Sequence, residues 1–194
     1  MATNVQYESL TTKSRFVSLV QRSESGAGEL VGTDSPLVSI DINHQRNHDG
    51  RSWVAWKLYP TADPLPAGSS CNIMLACAAG VRIHLSIDAV LAGDGELYLY
   101  ENATSTGGTP FTPINRNRNY TTSSDVAMVI NPTVTGTGTL LDAQFIAGGI
   151  GKKAGGGGAG SLEYVLKPLT NYLVRLSNTN GTDHAGHLAL EWYE

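Results

Sequence analysis

The sequence predicts an all-β domain, a β-sandwich of jelly-roll form, and three observations carry that expectation. Short runs alternate apolar and polar residues with period two. Turn residues separate those runs at regular intervals. Charged residues occupy only 15% of the 194 positions, and Gly, Ser, Thr and Asn fill the gap. Such a composition suits short strands and many turns rather than long solvated helices. Hydrophobic residues reach 41%, enough to build a core in one domain of this length. The expected organisation is an N-terminal arm, or a first strand with a long loop, over residues 1–36, and a sandwich over residues 37–194. Eight strands in two sheets is the preferred form, because that arrangement limits exposed sheet edges.

The elements follow in order. Residues 1–36 are polar apart from Phe16, Val17, Leu19 and Val20, and they close on the turn signal Ser35-Pro36. Val38, Ile40 and Ile42 alternate with polar neighbours and predict a strand. Trp53, Val54, Trp56 and Leu58 predict the next, ended by Pro60. Cys71–Ala78 is almost wholly apolar, which predicts a strand buried on both faces. Cys71 and Cys77 on one strand stand roughly 20 Å apart, beyond the reach of a disulfide, and read as buried thiols. Val81, Ile83, Leu85 and Ile87 alternate with Arg82, His84, Ser86 and Asp88. With Gly93-Asp94-Gly95 and the run Glu96–Tyr100 they predict a hairpin.

Beyond Glu101 the chain is rich in Thr, Asn and Gly. Asn115–Thr122 is polar and suits an exposed strand or a wrapped loop. Val126–Ile130, with Pro132 behind it, predicts an edge strand. Leu140, Leu141 and Phe145 are expected in the core. Ala147–Ser161 holds eight glycines in fifteen residues, too little apolar surface to fold alone. It is expected to be a flexible loop or one ordered by a partner. Strands at Leu162–Leu166, Asn171–Leu176 and His187–Tyr193 complete the domain. No segment predicts an amphipathic helix.

The motifs that carry chemistry are weak. Gly151-Lys152 resembles the end of a phosphate-binding loop, but Ile146 stands where that motif needs Gly, and Lys153 where it needs Ser or Thr. His44/His48 and His184/His187 have helical metal-ligand spacing, yet both pairs fall in turn-rich segments. No G-x-S-x-G is present. Convergence of Asp41, Asp88, Glu96 and Glu101 would suit glycoside hydrolysis, although carboxylates at strand ends are usually solvated. No cofactor and no metal are expected, and the chain reads as a non-enzyme. A formal charge of −4 argues against direct nucleic-acid binding, which leaves a basic footprint. The longest apolar runs are far shorter than a membrane span, and the first residues lack the apolar stretch of a secretion signal, which points to synthesis in a cytoplasm. Contact with other proteins is the remaining class. Trp53 and Trp56, three apart on a strand, face opposite sides, so one suits the core and the other a surface. The interface candidates are Trp53, Trp56, Arg116, Arg118, Lys152, Lys153, Gly155 and Gly156.

A set of motifs in the region 44–194 resembles a family of tailed-bacteriophage virion proteins encoded beside the major capsid protein. The set comprises Glu101-Asn-Ala-Thr, Thr112-Pro-Ile-Asn-Arg-Asn-Arg-Asn, Thr135-Gly-Thr-Gly-Thr-Leu-Leu-Asp, the Gly-rich loop, Leu166-Lys-Pro-Leu-Thr-Asn-Tyr-Leu-Val-Arg-Leu-Ser-Asn and Leu190-Glu-Trp-Tyr-Glu. His48-Asp-Gly-Arg-Ser-Trp is a fainter echo. The resemblance implies a capsid cement, or decoration, protein on the outer surface of the virion. Its expected partners are the major capsid protein and, in a trimer, further copies of itself. It carries no catalytic residues. A carbohydrate-binding head-fibre or tail appendage is the alternative expectation.

Overall fold

A computed structural model describes residues 20–22, 28–30, 42–148 and 163–194. The chain divides into two compact units, Met1–Ile40 and Asp41–Glu194. In the first, strands β1 (Val20–Arg22) and β2 (Gly28–Leu30) form a short antiparallel ribbon. The rest of the expected 1–36 arm, and Leu37–Asp41 of the strand expected next, lie outside the described residues, as do the glycine-rich residues 149–162.

The second unit opens with a helix that the sequence did not predict. Helix α1 covers Ile42–His48, so Ile42 begins a helix rather than ending a strand. Its last turn carries Arg46 and His48, which favour the negative end of the helix dipole. It ends in a Schellman pair: Gly50 N–H donates to Asn47 C=O and Arg51 N–H to Arg46 C=O. Gly50 takes the left-handed conformation this requires, with φ 66°.

The strands then follow as β3 (Ser52–Tyr59), β4 (Ser70–Cys77), β5 (Ile83–Leu91), β6 (Gly95–Glu101), β7 (Thr104–Thr106), β8 (Thr109–Phe111), β9 (Ile114–Asn115), β10 (Val126–Ile130), β11 (Thr133–Gly136), β12 (Thr139–Ile146), β13 (Tyr164–Leu166), β14 (Asn171–Asn178) and β15 (Gly186–Tyr193). One sheet has the order β12-β6-β14-β4-β10-β8, the other β13-β5-β15-β3-β9, and every pairing is antiparallel. The expected all-β sandwich is present. The pairing is nested: β3 lies beside β15, β4 beside β14, β5 between β15 and β13, and β6 between β14 and β12.

The core lies between the sheets. Cys71, Ile73 and Leu75 of β4 and Tyr172, Val174 and Leu176 of β14 meet Ala55 of β3, Leu85 of β5 and Leu188, Leu190 and Trp192 of β15. Alternation puts these residues on inner faces. Strand β4, expected to be buried on both faces, is buried throughout its inner face, but on its outer face only Met74 is buried, while Asn72 is partly buried and Ala76 exposed. The antiparallel ribbon β7–β11 supplies Val134 to a second small cluster with Met74, Leu173 and Ala103. Cys71 and Cys77 are both free and buried, and burial pushes each thiol up to about 11.

Three expectations need correction. β5 and β6 are not a hairpin: they belong to different sheets, and Gly93–Asp94 carries the chain between them. Alternation marks which side chains are buried but not which strand is the neighbour. β10 is not an edge strand, because β8 pairs along its free side. Edge proline Pro110 lies in β8, where a missing N–H breaks no ladder. Finally, Leu140, Leu141 and Phe145 are exposed rather than core residues.

Candidate functional site: an apolar edge and a loop corner

Strand β12 is the eight-residue edge of the six-stranded sheet, and among the described residues nothing pairs with its outer side. The register slips between Leu140 and Asp142, making Leu141 an extra residue. A bulge of this kind turns one more side chain outward than strict alternation allows. Inward-facing Asp142 accepts hydrogen bonds from Tyr164 Oη at 2.5 Å and Gln144 Nε2 at 2.7 Å. These bonds hold its carboxyl below the ordinary aspartate value. The bulge and the inward charge are both devices that discourage promiscuous strand addition. Even so, Phe145 is 68% exposed, and Leu140 and Leu141 of the same strand are also exposed. The Leu-Leu doublet, which breaks the period-two pattern, is the sequence signal for the bulge.

The other sheet has its own exposed apolar side chains. Trp56 and Leu58 of β3 are 42% and 55% exposed, and Trp56 meets Phe111 edge-to-face with ring centroids 6.1 Å apart. Trp53 is only 3% exposed and belongs to the core. Of the two tryptophans, only Trp56 presents a ring to a partner, because their odd spacing puts them on opposite faces. Arg116 is exposed, and its Nη1 is 2.6 Å from Glu191 Oε2. Arg118 is exposed and donates to Asn115 C=O at 3.5 Å. Lys152, Lys153, Gly155 and Gly156 lie outside the described residues.

Three of the motif segments that carry the virion-family resemblance meet at one corner. Glu101 ends β6; its Oε1 takes Lys167 Nζ at 2.8 Å and its Oε2 takes Tyr172 Oη at 2.9 Å. Tyr172 Oη in turn accepts Lys167 N–H at 2.9 Å, and Asn102 N–H donates to Asn171 C=O at 2.8 Å. A Cβ at Gly138 would stand 2.1 Å from the Glu101 carbonyl oxygen. The motifs thus specify a tight crossing of three segments, and sequence reading had no means of joining them. Beside this corner, Leu169 stands 79% exposed with φ 55°. A leucine held in the left-handed region costs roughly 1–2 kcal/mol.

The same network sets a pH dependence. Lys167 and then Tyr172 hold the Glu101 carboxyl below the ordinary glutamate value. A carboxyl whose value is lowered by folding contributes stability above its unfolded value, and that contribution is lost as pH falls through the folded one. Denaturant midpoints are therefore expected to fall below about pH 4, and Glu101→Gln should flatten that acid limb. An unchanged acid limb in Glu101→Gln would refute this assignment.

The remaining polar candidates separate. His44 and His48, expected in a turn, share one face of α1 with their Nε2 atoms 3.0 Å apart. His184 contacts Thr182, whereas His187 Nε2 is 3.0 Å from Asp88 Oδ2. Glu96 bonds Tyr98 and points to the opposite face of β6 from Glu101. Asp41 lies outside the described residues. Among the described residues, no group of three or more His, Cys, Asp or Glu gathers to hold a metal, and no helix is long and apolar enough to cross a membrane. No known protein family, no curated protein and no solved structure matches the chain.

Proposed function

We propose that the chain is a non-enzymatic capsid cement protein: it bridges subunits of the major capsid protein on the outer surface of a tailed-phage head and acts as a homotrimer. The observation that carries this reading is the apolar edge of β12. An open eight-residue strand flanked by exposed Leu140, Leu141 and Phe145 is an association site unless a partner covers it. Three further points support the reading. The nested order β3-β15-β5-β13 against β4-β14-β6-β12 fits jelly-roll connectivity, an architecture shared by viral capsid and lectin domains. The motif segments resemble those of virion proteins encoded beside the major capsid protein. The net negative charge suits a surface that faces away from packaged DNA.

The test is co-assembly. The chain is produced together with the major capsid protein encoded beside it, and heads are separated by gradient sedimentation. It is expected to sediment with the heads and to raise the temperature at which they break open. By light scattering the soluble protein is expected at about three times the 20.5 kDa monomer mass. A chain that stays at the top of the gradient would overturn the reading.

A further inference from the structure

A cavity of about 610 Å³ opens at one end of the sandwich, within the size range of small-molecule sites. Five segments converge on it: the end of α1 with the turn behind it, the start of β3, the approach to β5, the loop between β9 and β10, and the end of β15. Arg46, Arg51 and Arg82 all reach its wall. Among the described residues, no carboxylate lies within ion-pair distance of any of the three. Arg46 lies over the Tyr193 ring at 5.9 Å from the centroid.

Two wall residues carry buried N–H groups without a partner, Arg46 at Nε and Trp53 at Nε1. Both are donors, so what they lack is an acceptor. An unsatisfied buried donor costs about 1–3 kcal/mol, and neither of these atoms is exposed to solvent.

The wall also holds acceptors and hydroxyls. Asp49, Asp125, Glu194, Thr122 and Ser123 line it beside the arginines. A polyphosphate would meet the three carboxylates and be repelled by them. A ligand with one carboxylate and several hydroxyls fits both kinds of group: guanidinium binds carboxylate in a two-pronged geometry, and the carboxylates accept hydrogen bonds from hydroxyls. The ring of Tyr120, 45% exposed, offers an apolar face for the C–H surface of a sugar ring.

We propose that this cavity binds an acidic saccharide, a sugar ring that carries a carboxylate, with Arg51 and Arg82 holding the carboxylate and Tyr120 packing on the ring. The inference stands apart from the capsid reading and does not depend on β12.

The test is calorimetric titration of the full chain with D-glucuronic acid, D-glucose and inorganic phosphate in separate runs. Saturable binding of glucuronic acid is expected, at least tenfold tighter than glucose or phosphate. Arg82→Ala and Arg51→Ala should each weaken it at least tenfold, and Arg82→Lys should restore only part of the loss. Arg175→Ala, which removes an arginine that lies over Tyr100 in the other sheet, should bind as the parent does. Thermal melts of each variant identify any that fail to fold, and Tyr120→Ala then serves as the second probe. No saturable binding of glucuronic acid, phosphate binding of equal strength, or binding indifferent to all three wall substitutions would overturn the proposal.

Discussion

Phe145→Glu is expected to abolish attachment to capsids while leaving the fold intact. Phe145 is 68% exposed in the free chain, so a charge at its position replaces little packed surface. Surface substitutions of this kind usually move stability by no more than about 0.5 kcal/mol. At an interface the same change removes an aromatic anchor and sets a carboxylate in a dry contact. Truncating a central anchor costs about 2 kcal/mol or more, roughly thirtyfold in affinity, and a buried unpaired charge adds to that. Leu58→Glu, on the opposite sheet, separates the two surfaces. If β12 is the bridging edge, Phe145→Glu heads lose the protein in gradient sedimentation and Leu58→Glu heads keep it. Retention of Phe145→Glu at parental occupancy would remove β12 from the interface.

The largest effect on stability is expected at Gly138. Its φ is 73°, and a Cβ there would stand 2.1 Å from the Glu101 carbonyl oxygen and 2.7 Å from the Asn102 carbonyl carbon. Both obstacles are backbone, so no side-chain rotation relieves them. Left-handed strain of roughly 1–2 kcal/mol adds to overpacking of about 1–3 kcal/mol. Gly138→Ala should therefore lose about 3 kcal/mol, near a 10 °C fall in melting temperature for a domain of this size. Gly107 is the control. Its φ is 64°, yet nothing lies within 4 Å of its Cβ position, so Gly107→Ala should lose only the strain. Equal losses in the two variants would show that the crossing at Glu101 has room to spare.

These two positions locate what is distinctive about the domain. Gly138 lets the segment before β12 cross the end of β6, where Glu101 meets Lys167 and Tyr172. β12 leaves that crossing as an edge with its apolar side chains exposed. Residues that anchor the corner thereby aim the surface that would meet a capsid. Glu101, Gly138, Lys167 and Tyr172 are therefore structural in their immediate role, fixing where β12 leaves the crossing.

Much of the fold is determined by the sequence alone. Alternation in β3, β5 and β14 places Ala55, Leu85 and Val174 inside, because successive side chains on a strand must point to opposite faces. The apolar run of β4 marks its inner face and Met74 as buried, although Ala76 on the outer face stays exposed, and the low charge content excludes long solvated helices. Odd spacing separates buried Trp53 from exposed Trp56. What the tertiary structure alone decided is the identity of neighbours. Period two is the same for a hairpin and for a strand that changes sheets, so β5 and β6 carry no mark of their separation. Leu140, Leu141 and Phe145 have core chemistry, and only an edge position with a one-residue bulge leaves them in solvent. The helix at Ile42–His48 is too short to show amphipathic periodicity, although Gly50 holds its stop signal. Arg46, Arg51, Arg82 and Trp53 stand up to 36 residues apart and meet at one cavity because sheet closure brings distant turns to the same end, a consequence of long-range pairing that no local pattern encodes.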